Sequence, residues 1–220
     1  MVIVGLTGSI GMGKSTAASM LRRMGVPLYD ADAAVHALQA PGGAALPAIE
    51  AAFPGVVKQG VLDRQALGAR VFGNKEALRK LEAIVHPMVG LWQRAFLKRA
   101  AMRRAPLVVL DIPLLFEGRG ERRVDATLVV SAPAFLQRRR VMARPGMTAE
   151  KLDGILRQQG PDALKRRKAT IVIPTGLGLA PTRAALEKAI AELKVRPGRF
   201  WPSNPWREKF TAQLARAHRK

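Results

Sequence analysis

Three glycines in six positions, then a lysine followed by two hydroxyls, make up most of GSIGMGKST, residues 8–16. Glycines at that density do not fill a core; they serve backbone that bends sharply or approaches something closely. The spacing Gly8, four residues, Gly13, Lys14, Ser15 matches a phosphate-binding loop, with Thr16 behind it. Such a loop needs these residue types. Small residues let consecutive N–H groups converge on phosphate oxygens. A helix opening near Lys14 adds its unpaired N–H groups and positive dipole end. Lys14 supplies a mobile point charge for the outer phosphates, and the Ser15 hydroxyl a ligand for Mg²⁺. The chemistry indicated is the handling of a nucleoside triphosphate, ATP with Mg²⁺ being the first choice.

The surrounding pattern supplies the elements that such a loop requires. VIVGLT before it reads as a strand over 2–6, and STAASMLRRMG after it as a helix over about 14–24. Further strands are expected at VPLYD (26–30), LVVLD (107–111), ATLVVS (126–131) and TIVIP (170–174). Helices are expected at ADAAVHALQ, then through a mostly helical stretch from the PGG break at 41–43 to about 104, and at 133–143, 148–168 and 181–194. Strands alternating with helices predict an α/β fold: a five-stranded parallel sheet flanked by helices. The core would comprise 1–40 and 105–194, with a helical insert over about 41–104 and a basic, proline-rich tail at 195–220, expected to be partly disordered.

Sites in such folds lie at the carboxyl ends of strands. After the second expected strand stand Asp30 and Asp32. An acid beside bound phosphates meets Mg²⁺ or takes a proton from an attacking hydroxyl; Asp30 serves equally well as a helix cap. Asp111 closes LVVLD, where an acid would orient Mg²⁺, directly or through water, or merely tether the following loop. Arg140 and Arg144 are four apart, on one face of a helix, where arginines close over phosphates and offset charge developing during transfer. A solvated basic helix is the alternative. His86 precedes Pro87, which suits the first turn of a helix, so His86 reads as an end group or a substrate contact.

Composition narrows the class. The chain has 220 residues, 48% hydrophobic, and no cysteine, which excludes a disulfide framework and thiolate metal sites. The first residues form neither a signal sequence nor a membrane span, so a cytoplasmic protein without membrane attachment is expected. The net charge of +21 gathers at Arg94–Arg104, Arg138–Arg144, Lys165–Lys168 and the tail from Lys194. That charge makes a nucleic-acid-linked NTPase the competing reading. No helix-turn-helix, zinc finger or aromatic RNA-binding signature accompanies it, so no specific nucleic-acid partner is expected. The motifs imply no particular oligomeric state.

In order along the chain, GLTGSIGMGKSTAA, YDADAAVH, GVLDRQALGARVF (60–72), LEAIVHPMV (81–89), DIPLLFE (111–117) and QRRRVMAR (137–144) are similar to the dephospho-coenzyme A kinase family, over about residues 1–173. The resemblance implies ATP- and Mg²⁺-dependent phosphorylation of the ribose 3′-hydroxyl of dephospho-CoA. It implies Asp32 as the base for that hydroxyl, with Lys14 and Arg140 in catalysis. Gly8, Gly11, Met12, Gly13, Lys14, Ser15, Thr16 and Arg144 are implied to hold ATP, and Arg64 and His86 to contact dephospho-CoA. The helical insert would be the CoA-binding subdomain, and residues of about 137–168 a lid. Thr170 and Thr175 depart from the pattern: the family carries an acidic residue and an asparagine there, beside the adenine, which leaves base selectivity open. Another small-molecule kinase would share the loop and lid but lack the LDR…VF and HP pairings.

Overall fold

A computed structural model describes residues 1–201. The chain divides into two compact units, Met1–Tyr29 with the segment from Ala100 onward, and Asp30–Arg99. The boundary takes the first helix after the second strand into the smaller unit, whereas the sequence places the insert's start at 41.

The larger unit is built on the expected five-stranded sheet. Its strands are β1 (Val2–Thr7), β2 (Leu28–Asp30), β5 (Leu107–Asp111), β6 (Ala126–Ser131) and β7 (Ile171–Pro174), in the order β2-β5-β1-β6-β7. β1 lies in the middle, parallel to β5 on one side and to β6 on the other, and β6 runs parallel to β7. Every residue of β1, β5 and β6 is buried, as a sheet covered on both faces requires. On one face, Val2, Val4 and Leu6 of β1 pack with Val109, Leu128, Val130 and Ile173. Helices α1 (Lys14–Arg23) and α9 (Leu179–Leu193) cover them through Ala17, Leu21, Leu186 and Leu193. On the other face, Gly5 leaves room for Leu115, whose Cδ2 would lie 2.7 Å from a Cβ there.

The sequence between Met147 and Lys168 reads as one helix but forms two, α7 (Ala149–Gln158) and α8 (Asp162–Lys168). Gly160–Pro161 explains the break, since proline disfavours helical backbone in the residue before it. α6 (Ala134–Met142) follows β6 directly.

The smaller unit holds α2 (Ala31–Leu38), α3 (Leu46–Ala52), a hairpin of β3 (Val57–Lys58) and β4 (Val61–Leu62), α4 (Arg64–Val71) and most of α5 (Lys75–Met102). It has its own core of Leu38, Ile49, Phe53, Leu62, Leu67 and Val85. The hairpin interrupts what reads as a helical stretch. The Glu50 carboxylate shapes its approach by accepting from the N–H groups of Gly55 (2.6 Å) and Val57 (2.7 Å). Pro87 does not start a helix as expected; it lies inside α5. The helix begins earlier because Asn74 Oδ1 caps it, accepting from Glu76 N–H at 3.1 Å and Ala77 N–H at 3.0 Å.

The tail's first residues dock on the amino edge of the sheet. One carboxylate, Asp125, accepts from Ile3 N–H (2.8 Å) and from Arg199 N–H (2.6 Å). Gly198 packs so closely on Met1 that a Cβ would lie 2.1 Å from its carbonyl oxygen. The expectation of partial disorder otherwise falls on 202–220, outside the described residues. Asp125→Ala strands two N–H donors, so urea unfolding should report a loss of about 1–3 kcal/mol. Truncation after Lys194 should cost less, since it removes the Arg199 donor and leaves Ile3 N–H on Asp125.

Candidate functional site

The loop leaves the carboxyl end of β1, the middle strand. Thr7 Oγ1 donates to Pro113 O at 2.8 Å, tying that end to the segment after β5. Within the loop, Met12 N–H closes a turn on Ser9 O at 3.1 Å. Gly11 and Gly13 have φ of 75° and 86°, which disfavour any side chain. Gly13 then caps α1 without a side chain. The first-turn N–H groups of Lys14, Ser15 and Thr16 have no partner inside the helix and stand ready for an anion. Ser15 and Thr16 are exposed.

Lys14 Nζ donates to Asp111 Oδ1 at 2.7 Å, with the Asp111 side chain 4% exposed. Parallel register explains the meeting: Asp111 lies beside Leu6, at the end of the strand next to the one that launches the loop. An ammonium has three N–H donors, so this pair leaves capacity for phosphate oxygens. Asp111 is thus at the loop, and its carboxylate and the Ser15 hydroxyl are hard oxygen donors of the kind Mg²⁺ takes alongside phosphate oxygens. Among the described residues no group of three or more His, Cys, Asp or Glu is placed to hold a metal ion.

Side chains from elsewhere in the larger unit grip the loop's backbone. Gln137 Nε2 donates to Ile10 O at 2.8 Å, and Gln159 Oε1 accepts from Ile10 N–H at 2.9 Å. Thr175 Oγ1 donates to Met12 O at 2.7 Å. Arg140 donates to Thr175 O at 2.7 Å and, at 3.4 Å, to Gly11 O. Met12 turns its side chain inward, 2% exposed, where its sulfur accepts from Ala132 N–H at 3.1 Å. Gln137 and Gln159 are the residues that motif reading passes over, and Thr175 stands out there only as a departure from the family pattern. Gln137 carried the one available signal, a neutral amide in an arginine run, one helical turn from Arg140.

Arg140 and Arg144 do not share a helix face. α6 ends at Met142, and Arg144 lies beyond the cap at Ala143, exposed, with its N–H on Val141 O at 3.0 Å. Pro145 accounts for the early stop. Thr170 exchanges hydrogen bonds with Thr127, each N–H donating to the other's Oγ1 at 2.9 Å.

In the smaller unit, Asp30 caps α2 by accepting from Ala33 N–H at 2.9 Å. Asp32 is exposed in the first turn of that helix. Arg64 opens α4 behind the Asp63 cap, and His86 is exposed on α5. The three thus start from three different helices.

The DIPLLFE segment ends in Glu117, which pairs with the buried Lys165 ammonium at 2.9 Å and accepts from Gly160 N–H at 2.8 Å. Burial pushes its carboxyl up, but Lys165 and the Gly160 N–H outweigh it and hold the group below the usual 4.5. Its stabilising contribution is therefore complete above the ordinary carboxylate range and is lost as pH falls through the lowered value. The difference in urea midpoint between wild type and Glu117→Gln should be full at pH 7 and shrink below about pH 4.

The model of a family described as "Dephospho-CoA kinase" matches residues 2–179. A dephospho-CoA kinase of Paramagnetospirillum magneticum is 65% identical over 166 residues, 76% of this chain and 78% of that protein. One of Novosphingobium aromaticivorans is 59% identical over 197 residues, 88% and 97% of the two chains. A crystal structure of a Thermus thermophilus protein, 41% identical, superposes with a TM-score of 0.75 over 87% of this chain and 97% of that one. The dephospho-CoA kinase from Campylobacter jejuni, 26% identical, gives 0.65 over 88% and 97%.

Proposed function

The chain belongs to the dephospho-CoA kinase family, and on that premise we propose how its residues carry the reaction. The activity is transfer of the ATP γ-phosphoryl group to dephospho-CoA, the last step of coenzyme A formation. The observation that carries the assignment is the 59% identity sustained across 97% of a dephospho-CoA kinase.

The loop from Gly8 to Thr16 cradles the phosphates, with N–H groups at Gly11, Gly13 and the first turn of α1 as donors. Lys14, steadied by Asp111, turns its remaining N–H groups to the outer phosphates. Ser15, with Asp111 through water, would hold Mg²⁺, which when bound offsets charge on the phosphate oxygens. Arg140 has five N–H donors, and those not spent on Thr175 and Gly11 serve the transferring group. Arg144 contributes from the segment beyond α6, within a lid of residues 137–168.

Asp32 is the base. It accepts the proton of the ribose 3′-hydroxyl as that oxygen bonds to phosphorus and ADP departs. The Asp30–Arg99 unit binds dephospho-CoA, with Arg64 and His86 as contacts. Selectivity for adenine is a matter for groups other than the Thr170 and Thr175 hydroxyls, which are engaged inside the protein, the first accepting from Thr127 N–H and the second donating to Met12 O. On this reading the reaction takes place in the cytoplasm, without a specific nucleic-acid partner; no helix of the described residues is long and apolar enough to cross a membrane.

Purified protein with Mg·ATP should release ADP on addition of dephospho-CoA and stay at background with adenosine or shikimate; background rates with dephospho-CoA overturn the assignment. Lys14→Ala should lower kcat by about 10²-fold or more while the fold survives, as judged by circular dichroism. Asp32→Asn keeps the shape but cannot take the proton, so kcat should fall by about 10²-fold or more with ATP affinity little changed. Near-normal kcat in that variant would move the base elsewhere.

A further inference from the structure

Three consecutive carbonyls of the loop are drawn outward by three side chains. Ile10 O accepts from Gln137 at 2.8 Å, Gly11 O from Arg140 at 3.4 Å, and Met12 O from Thr175 Oγ1 at 2.7 Å. A trans peptide is planar, so the C=O of one residue and the N–H of the next point in opposite directions. Holding Ile10 O against α6 therefore aims Gly11 N–H away from α6. Holding Met12 O against Thr175 aims Gly13 N–H away from β7. The N–H between them, on Met12, is spent on Ser9 O.

We infer that Gln137 and Thr175 are positioning residues for phosphate binding: by fixing the Ile10 and Met12 carbonyls they orient the N–H groups of Gly11 and Gly13 toward the nucleotide. The inference rests on the reading that this loop holds the phosphates of ATP. Both anchors are themselves fixed. Gln137 and Thr175 are buried, 8% and 6% exposed. Thr175 N–H donates to Ser131 O at 2.8 Å, and Arg140 covers the Thr175 carbonyl. Gln159, on Ile10 N–H, keeps that donor from competing for the same carbonyls. Thr175 also limits the space around Gly13, where a Cβ would lie 3.3 Å from its own Cβ. The position that departs from the family pattern thus sets the geometry of the loop.

The test uses the full chain, and wild-type turnover with ATP and dephospho-CoA is measured first. Absence of turnover refutes the proposed function; the variants below judge the inference separately, through ADP affinity measured by titration calorimetry. Thr175→Val is nearly isosteric but cannot donate, and it leaves Met12 O unpaired. It should weaken ADP binding and raise KM for ATP about tenfold, with KM for dephospho-CoA changed less than about twofold. Gln137→Met should do the same through Ile10 O. Thr175→Ser restores the donor and should stay within about threefold of wild type. Wild-type ADP affinity in Thr175→Val overturns the inference, as does an equal loss in Thr175→Ser, which would indicate packing alone. If Thr175→Val does not fold, Gln137→Met decides by the same ADP affinity and the same KM contrast.

Discussion

A row of N–H groups can face an anion only if the carbonyls of the same backbone are satisfied on the other side. An unpaired buried carbonyl costs about 1–3 kcal/mol, comparable to what one phosphate contact returns. The loop between β1 and α1 is too short and too rich in glycine to meet that demand from within. Its own turn satisfies Ser9 O, and Ile10 O, Gly11 O and Met12 O are met from α6 and the start of the segment after β7. The layering of the larger unit follows from this. β6 and β7 lie on one side of β1 so that the segments after them reach the loop, and β5 lies on the other so that Asp111 reaches Lys14.

Charge is handled by the same division. Without Asp111 the Lys14 ammonium would lose the carboxylate that offsets its charge, and without Lys14 a carboxylate that is 4% exposed would lose its ammonium; breaking such a pair is costly. Behind them, Glu117 and Lys165 repeat the arrangement and fasten α8 to the segment that follows Asp111. Asp162 joins through Ser131 Oγ, 2.7 Å from its Oδ2. Polar contacts thus add to the buried Val141 and Leu152 in binding the peripheral helices near the carboxyl edge of the sheet, while Leu6, Leu128 and Leu186 secure its interior.

Much of this was legible in the sequence where the governing physics is local. The β-branched runs of β1, β5 and β6 could only be buried strands, and GSIGMGKST between strand and helix had few other uses. Asp30 as a cap was one of two local readings, and the Ala33 contact shows the cap in place. What stayed hidden is non-local or hangs on a stop signal. Gln137 and Thr175 matter through partners more than a hundred positions away, and no spacing rule reaches that far. The face shared by Arg140 and Arg144 failed because Pro145 ended the helix sooner than periodicity implied. Pro87 misled in the opposite direction: its preference for a first turn was overridden by a helix already capped at Asn74.

The central position of β1 also governs the order in which the chain can assemble. Of the five strands of this sheet the middle one is synthesised before the others, and neither neighbour exists until residues 107–111 and 126–131 have been made. At about 5–20 residues per second, that is a wait on the order of 5–20 seconds for a largely apolar segment with both hydrogen-bonding edges open. In the interval the ribosome emits Asp30–Arg99, a unit with its own core that can close without any part of β1. The insertion therefore matures while the nascent nucleotide-binding layer is still an unpaired strand, and VIVGLT is the segment on which a chaperone would spend that time.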